Sequence, residues 1–140
     1  SKAYGLAGFR VGYSVSSKVI ADYLNRVRQP FNANSLALAA AEAALTDKAH
    51  MMNSLKMNSE QKTVLYKGLA DLGYEFIPTH GNFICFDCKQ DANTAFNLLL
   101  KEGVIVRSMD VYKMPNHLRV TIGTPEENRI FLEKISKITF

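Results

Sequence analysis

The first thirteen residues, Ser1-Lys2-Ala3-Tyr4-Gly5-Leu6-Ala7-Gly8-Phe9-Arg10-Val11-Gly12-Tyr13, constrain the chain more than any other stretch. Glycine admits backbone paths closed to residues with a Cβ, so Gly5 and Gly8 let the loop fold back and bring Lys2 and Arg10 to one ligand. Phe9, Val11, Tyr13 and Val15 alternate with Arg10, Gly12 and Ser14. That period predicts a strand with unlike faces, Arg10 pointing away from the apolar set. The polar groups so gathered have complementary chemistry. A lysine amine forms a Schiff base with an aldehyde, and a nearby hydroxyl and guanidinium suit a phosphate, which makes Lys2, Ser1 and Arg10 candidate site residues. The alternative for the same residues is a surface loop with a solvated lysine and an ion-paired arginine.

Further along, the pattern is α/β. Ser17 is placed to cap a helix in which Val19, Ile20, Tyr23, Leu24 and Val27 recur at helical spacing, and Gln29-Pro30 ends it. The alanine-rich stretch from Leu36 to Leu45 predicts a second helix capped by Asn34 or Ser35. A long third helix is expected from about Asp47 to Leu72, with Met51, Met52, Leu55, Leu65, Leu69 and Leu72 as its apolar face and Gly73 at its left-handed end. From Tyr74 onward, strands are predicted at Tyr74 to Ile77, Asn82 to Asp87, Val104 to Val106 and His117 to Ile122. A helix over Ala92 to Glu102 separates the second from the third. Thr124-Pro125-Glu126-Glu127 reads as a capping box with proline at the first helical position, opening a final helix through Ile130, Phe131, Ile135 and Ile138.

Charge and composition narrow the function. A chain of 140 residues can bury one sizeable core. It has 47% hydrophobic and 21% charged residues, as ordinary globular proteins do, and no apolar run long enough to span a bilayer, so a membrane role is not expected. The net charge of +4 comes from 17 basic and 13 acidic residues with no Lys/Arg block. That argues against nucleic-acid binding and suits anionic small molecules such as phosphates and carboxylates. Cys85 and Cys88 form a C-x-x-C, but no second cysteine pair or histidine follows at ligand spacing, so they read as reduced thiols at the end of a buried strand and no metal site is expected. His50, His80 and His117 are far apart in sequence and read as surface or packing residues.

Arg119 carries a second chemical argument. Leu118, Val120 and Ile122 alternate with Arg119 and Thr121, so the guanidinium projects from the face opposite the apolar residues. Its planar fork suits bidentate recognition of a carboxylate or phosphate. An edge-strand arginine in a surface ion pair is the competing explanation.

Taken together, these segments resemble a known family. Ser1 to Tyr13 is similar to the S-K-x-x-G-L-A-G-x-R-x-G-Y segment of the class I/II aminotransferases of fold type I. Three further stretches agree with the histidinol-phosphate aminotransferases within that class: Gln29 to Ser35, Gly81 to Ile84, and Leu118 to Asn128. Phe9 stands where the family more often has leucine. The resemblance implies an α/β fold consisting of the end of the large domain over residues 1–46 and the small α/β domain over residues 47–140, a C-terminal portion of a longer enzyme. It implies pyridoxal 5'-phosphate as cofactor, bound through Lys2 with Ser1 and Arg10 on its phosphate. It also implies that Arg119 binds the substrate's anionic group and Arg107 the substrate phosphate. The implied reaction is transamination in which glutamate donates the amino group and imidazole acetol phosphate accepts it, giving 2-oxoglutarate and the phosphorylated amine histidinol phosphate. It would take place in histidine biosynthesis, in a cytoplasmic homodimer. Two alternatives stay open: a related pyridoxal-phosphate aminotransferase or phosphate-substrate decarboxylase, and a non-catalytic folded domain.

Overall fold

The computed structural model describes residues 1–138, so Thr139 and Phe140, the end of the domain expected over residues 47–140, lie outside the described residues. The chain divides into two compact units, residues 1–55 and residues 56 onward. The division falls inside the long helix that follows Asp47.

The first unit is built from local signals. A 3₁₀ turn at Ala7–Phe9 precedes α1 (Lys18–Val27) and α2 (Ser35–Thr46), and the start of α3 (Lys48–Asp71) completes it. Ser17 caps α1 by accepting from the Ile20 N–H. At α2 the cap is Asn34, whose Oδ1 accepts from the Ala37 N–H at 2.8 Å. Asp47 does the same for α3, its carboxylate accepting from the His50 N–H at 2.9 Å. Each bond satisfies one of the donors that a helix start leaves without an intrahelical partner.

The strand predicted over Phe9 to Val15 does not form. Phe9 closes the 3₁₀ turn, Arg10 is left-handed with φ 53°, and residues 11–17 carry no regular structure. A strand needs a neighbour for its N–H and C=O groups, and among the described residues of this unit there is no other strand. The apolar stripe of α1 is likewise uncovered: Val19, Ile20, Tyr23, Leu24 and Val27 are all exposed.

The second unit holds the core. β1 (Phe76–Ile77), β2 (Phe83–Asp87), β3 (Arg107–Ser108) and β4 (His117–Thr121) make one antiparallel sheet in the order β1-β2-β4-β3. One face carries Ile84, Phe86, Leu118 and Val120, packed with Leu65 and Leu69 of α3, Ala95 and Leu99 of α4 (Ala92–Lys101), and Phe131 and Ile135 of α5 (Pro125–Lys137). Phe86 anchors it, meeting Tyr74 and Phe131 edge to face at 5.6 and 6.0 Å between ring centroids. Full burial of such a ring contributes about 1.5–3 kcal/mol. Tyr66 stacks on Phe76 at 4.5 Å beside this cluster.

Helix ends place the loops. The long helix stops as predicted at Gly73, with φ +76°, where the Gly73 and Tyr74 N–H groups donate to the Ala70 and Leu69 carbonyls. That reciprocal pair is a Schellman cap, and the glycine supplies the left-handed residue without a Cβ clash. The same bonding recurs at the end of α4, from Gly103 to Leu100 and from Val104 to Leu99. The predicted strand at Val104 to Val106 is absent: Val104 gives its N–H to the Leu99 carbonyl at the end of α4, and residues 104–106 pair with no strand among the described residues. Val104 and Val106 still bury their side chains in the core, and pairing with β4 begins only at Arg107. At α5 the expected capping box forms, with Thr124 Oγ1 accepting from the Glu127 N–H at 3.3 Å and Glu127 Oε2 accepting from the Thr124 N–H at 2.7 Å.

Candidate functional site

The sheet's other face bears the polar groups. Register fixes the arrangement: Ile77 pairs with Cys85, Cys85 with Arg119, and Arg119 with Arg107, so these four residues form one row across β1, β2, β4 and β3 on the face away from the core. Phe83 pairs with Thr121 on one side of the row and Asp87 with His117 on the other.

Arg119 lies on an inner strand, between β2 and β3, and not on an edge. Among the described residues neither Arg119 nor Arg107 makes an ion pair. The surface-ion-pair explanation for Arg119 therefore does not apply. Its Nε is buried without a hydrogen-bond acceptor, and its Cζ sits 4.8 Å from the centroid of the Phe83 ring. A buried donor left unpaired costs about 1–3 kcal/mol, a cost that an anionic ligand removes by accepting from it. Arg107 is exposed on the edge strand, its Cζ 5.8 Å from the ring of Tyr112. Like charges directly opposite on paired strands repel, a repulsion that an anion lying between the two guanidinium groups would offset. Burial pushes the Cys85 thiol up, against the smaller opposing pull of the Arg119 guanidinium. Cys88 points the other way. It is fully buried in the core, its Sγ 3.0 Å from the Asn116 carbonyl oxygen. Both cysteines are free thiols, and among the described residues no three His, Cys, Asp or Glu side chains gather as metal ligands.

In the first unit the chain turns back at Gly5, while Gly8 lies within the 3₁₀ turn and has no positive φ. The Gly5 N–H donates to the Lys2 carbonyl at 2.9 Å, with Gly5 at φ +69°, and the Phe9 N–H donates to the Leu6 carbonyl at 3.1 Å. Lys2 is exposed and without an ion pair among the described residues. Arg10 is held differently from the strand position expected of it: its Nη1 donates to the Ala7 carbonyl at 2.9 Å, folding the side chain onto its own turn. Ser1, exposed, borders a cavity of about 430 Å³ with Tyr4, Leu6, Tyr13, Leu38 and Leu45. Among the described residues no hydrogen bond joins the Ser1, Lys2 and Arg10 side chains to one another.

Sequence reading missed Phe83, Cys85 and Tyr112 as neighbours of the arginines. A signal for the first two was present, since Phe83, Cys85 and Asp87 alternate with Ile84 and Phe86 and so share the face of Arg119. Tyr112 lies in a 3₁₀ turn, Asp110–Tyr112, which no periodicity announced.

Comparison with known proteins gives a consistent picture. The family model for aminotransferase class I and II matches residues 1–135. The chain is similar to histidinol-phosphate aminotransferase 2 of Pseudomonas fluorescens (strain Pf0-1), at 57% identity over 99% of this chain and 37% of the relative. It is 54% identical to histidinol-phosphate aminotransferase 2 of Pseudomonas aeruginosa PAO1 over the same shares. Among solved structures it resembles the histidinol-phosphate aminotransferase of Sinorhizobium meliloti in complex with pyridoxal-5'-phosphate, with a TM-score of 0.87 and 28% identity over 99% of this chain and 40% of that one. The chain thus spans 37% of the length of these curated relatives.

Proposed function

The chain belongs to the class I and II aminotransferases, and from that premise we propose that the protein acts in the reversible transamination that interconverts glutamate and imidazole acetol phosphate with 2-oxoglutarate and histidinol phosphate, in histidine biosynthesis, with pyridoxal phosphate as cofactor. Residues 1–46 would belong to the large cofactor-binding domain and residues 47–140 to the small domain, in a cytoplasmic homodimer. Among the described residues no helix is long and apolar enough to cross a membrane.

The donor set fits the cofactor. Lys2 offers an exposed primary amine for its aldehyde, and Ser1 a hydroxyl for its phosphate. Arg10 uses one of its five N–H donors on Ala7 and keeps the others for that phosphate. When bound, pyridoxal phosphate supplies the carbonyl that takes up the amino group and the ring that draws off electrons. Lys2 Nζ is the group that holds the cofactor and carries the proton at the reacting carbon. Arg119 orients the substrate's anionic end, and Arg107 reads the phosphate that separates histidinol phosphate from unphosphorylated amines.

The observation that carries this reading is the Arg119–Arg107 row, two guanidinium groups placed opposite one another with no carboxylate of their own among the described residues. A substrate with a doubly charged terminal group answers it. The full-length protein loaded with pyridoxal phosphate should use histidinol phosphate with a kcat/KM at least about tenfold above that for aromatic amino acids. Preference for an unphosphorylated amino acid, or release of carbon dioxide from a phosphorylated one, would refute it.

A further inference from the structure

Phe83 is the least expected side chain on the outer face of the sheet. It is a large apolar ring, 37% exposed, at the start of a strand in which Ile84 and Phe86 are wholly buried on the other face. A ring left partly in water forfeits stabilisation that burial would bring. Register gives the position a purpose. Phe83 pairs with Thr121 and Cys85 with Arg119, so Phe83 and Arg119 are diagonal neighbours on one face, a separation that an aromatic ring and a long side chain span. The Arg119 Cζ stands 4.8 Å from the ring centroid, inside the range of about 6 Å for a cation–π contact.

Arg119 is held differently from Arg129 of α5. Arg129 is fixed by carboxylates, donating to Glu126 at 2.8 and 2.9 Å and to Glu133 at 3.1 Å. That occupies its donors. Arg119 has no carboxylate among the described residues and a buried Nε without an acceptor. A ring contact restrains the cation while leaving its N–H groups for a ligand, and restraint before binding lowers the conformational cost of capture. The ring itself is backed by a fixed loop: the Gly81 N–H donates to Thr79 Oγ1 at 3.0 Å, its carbonyl accepts from Asn58 Nδ2 at 3.3 Å, and a Cβ added at Gly81 would stand 3.7 Å from the Phe83 ring.

We propose that Phe83 is a positioning residue for substrate, its ring holding the Arg119 guanidinium ready for the substrate's carboxylate or phosphate. This rests on the reading of Arg119 as the substrate anchor. The test compares Phe83→Leu, Phe83→Met, Phe83→Tyr and Arg119→Ala in the full-length, cofactor-loaded protein. KM and kcat for glutamate are measured separately, and succinate, a dicarboxylate with nothing to transaminate, is titrated by calorimetry. Phe83→Leu and Phe83→Met should raise the glutamate KM and weaken succinate binding by about three- to tenfold, with kcat within about twofold. Phe83→Tyr, which keeps the ring, should restore both. Arg119→Ala should weaken succinate further. If the Leu and Met variants bind succinate as the parent does while Arg119→Ala does not, Phe83 has no positioning role. If Arg119→Ala also binds normally, the anchor reading fails and the inference falls with it. A loss of kcat in step with a lowered melting temperature, unrestored by tyrosine, would make Phe83 structural only.

Discussion

Arg107 and Arg119 are register partners on adjacent antiparallel strands, so two guanidinium side chains rise from one face of the sheet directly opposite one another. Neither has a carboxylate partner among the described residues. Loss of a charge-assisted contact costs about 1.5–3 kcal/mol, or roughly one to two orders of magnitude in specificity. Arg107→Ala should therefore lower kcat/KM for histidinol phosphate by about that factor and for glutamate much less, whereas Arg119→Ala should lower both. Steady-state kinetics with each substrate and variant decides it. An equal, small loss for both substrates at Arg107 would point to an unphosphorylated substrate.

Stability should decline in alkali. Burial pushes the Cys88 thiol up, partly offset by backbone hydrogen bonding at Gln90, and pushes the Tyr74 hydroxyl up to about 12, with the neighbouring Cys88 adding to the rise. Burial also pushes Cys85 up. These folded values lie above the unfolded ones, so the unfolded chain releases its protons first as pH rises. The stability they contribute is intact below the unfolded thiol value of about 9 and is lost as pH climbs through the folded values. Thermal melts should be level from about pH 7 to 8.5 and fall progressively above about pH 9, with Cys88→Ala flattening the first part of the fall. A melting temperature unchanged to about pH 11 would contradict this.

The core and the final helix cap should differ in weight. Phe86→Ala removes a fully buried ring that meets both Tyr74 and Phe131, and should cost about 3–5 kcal/mol. Thr124→Ala removes one half of an exposed capping box and should cost about 0.5–2 kcal/mol. Urea unfolding of the two variants measures both, and comparable losses would show that the core is not centred on Phe86.

What the sequence disclosed reflects the range of the forces involved. Asn34, Thr124 with Glu127, and Gly73 act within a few residues, so the starts of α2 and α5 and the end of α3 were readable from local spacing. The alternation of Phe9 to Val15 satisfied the same local rule, yet gave no strand because pairing depends on a partner elsewhere. Val104 to Val106 failed for another reason, Val104 giving its N–H to the end of α4 in a bond that composition does not announce. The placement of Arg119 on the face away from Leu118 and Val120 was readable from alternation. Its inner-strand place, its missing carboxylate and its contact with Phe83 depend on the register between β2 and β4, strands far apart in the chain, and no spacing within β4 encodes that.

The central claim is that Lys2 is the cofactor-bearing residue of an aminotransferase. Incubating the full-length protein with pyridoxal phosphate, reducing with borohydride and mapping the modified peptide by mass spectrometry tests it directly. The reduced cofactor should be found on Lys2, be absent from Lys2→Ala, and its absence should accompany a loss of transamination of roughly three or more orders of magnitude. Modification of a different lysine, or a fully active Lys2→Ala variant, would contradict it.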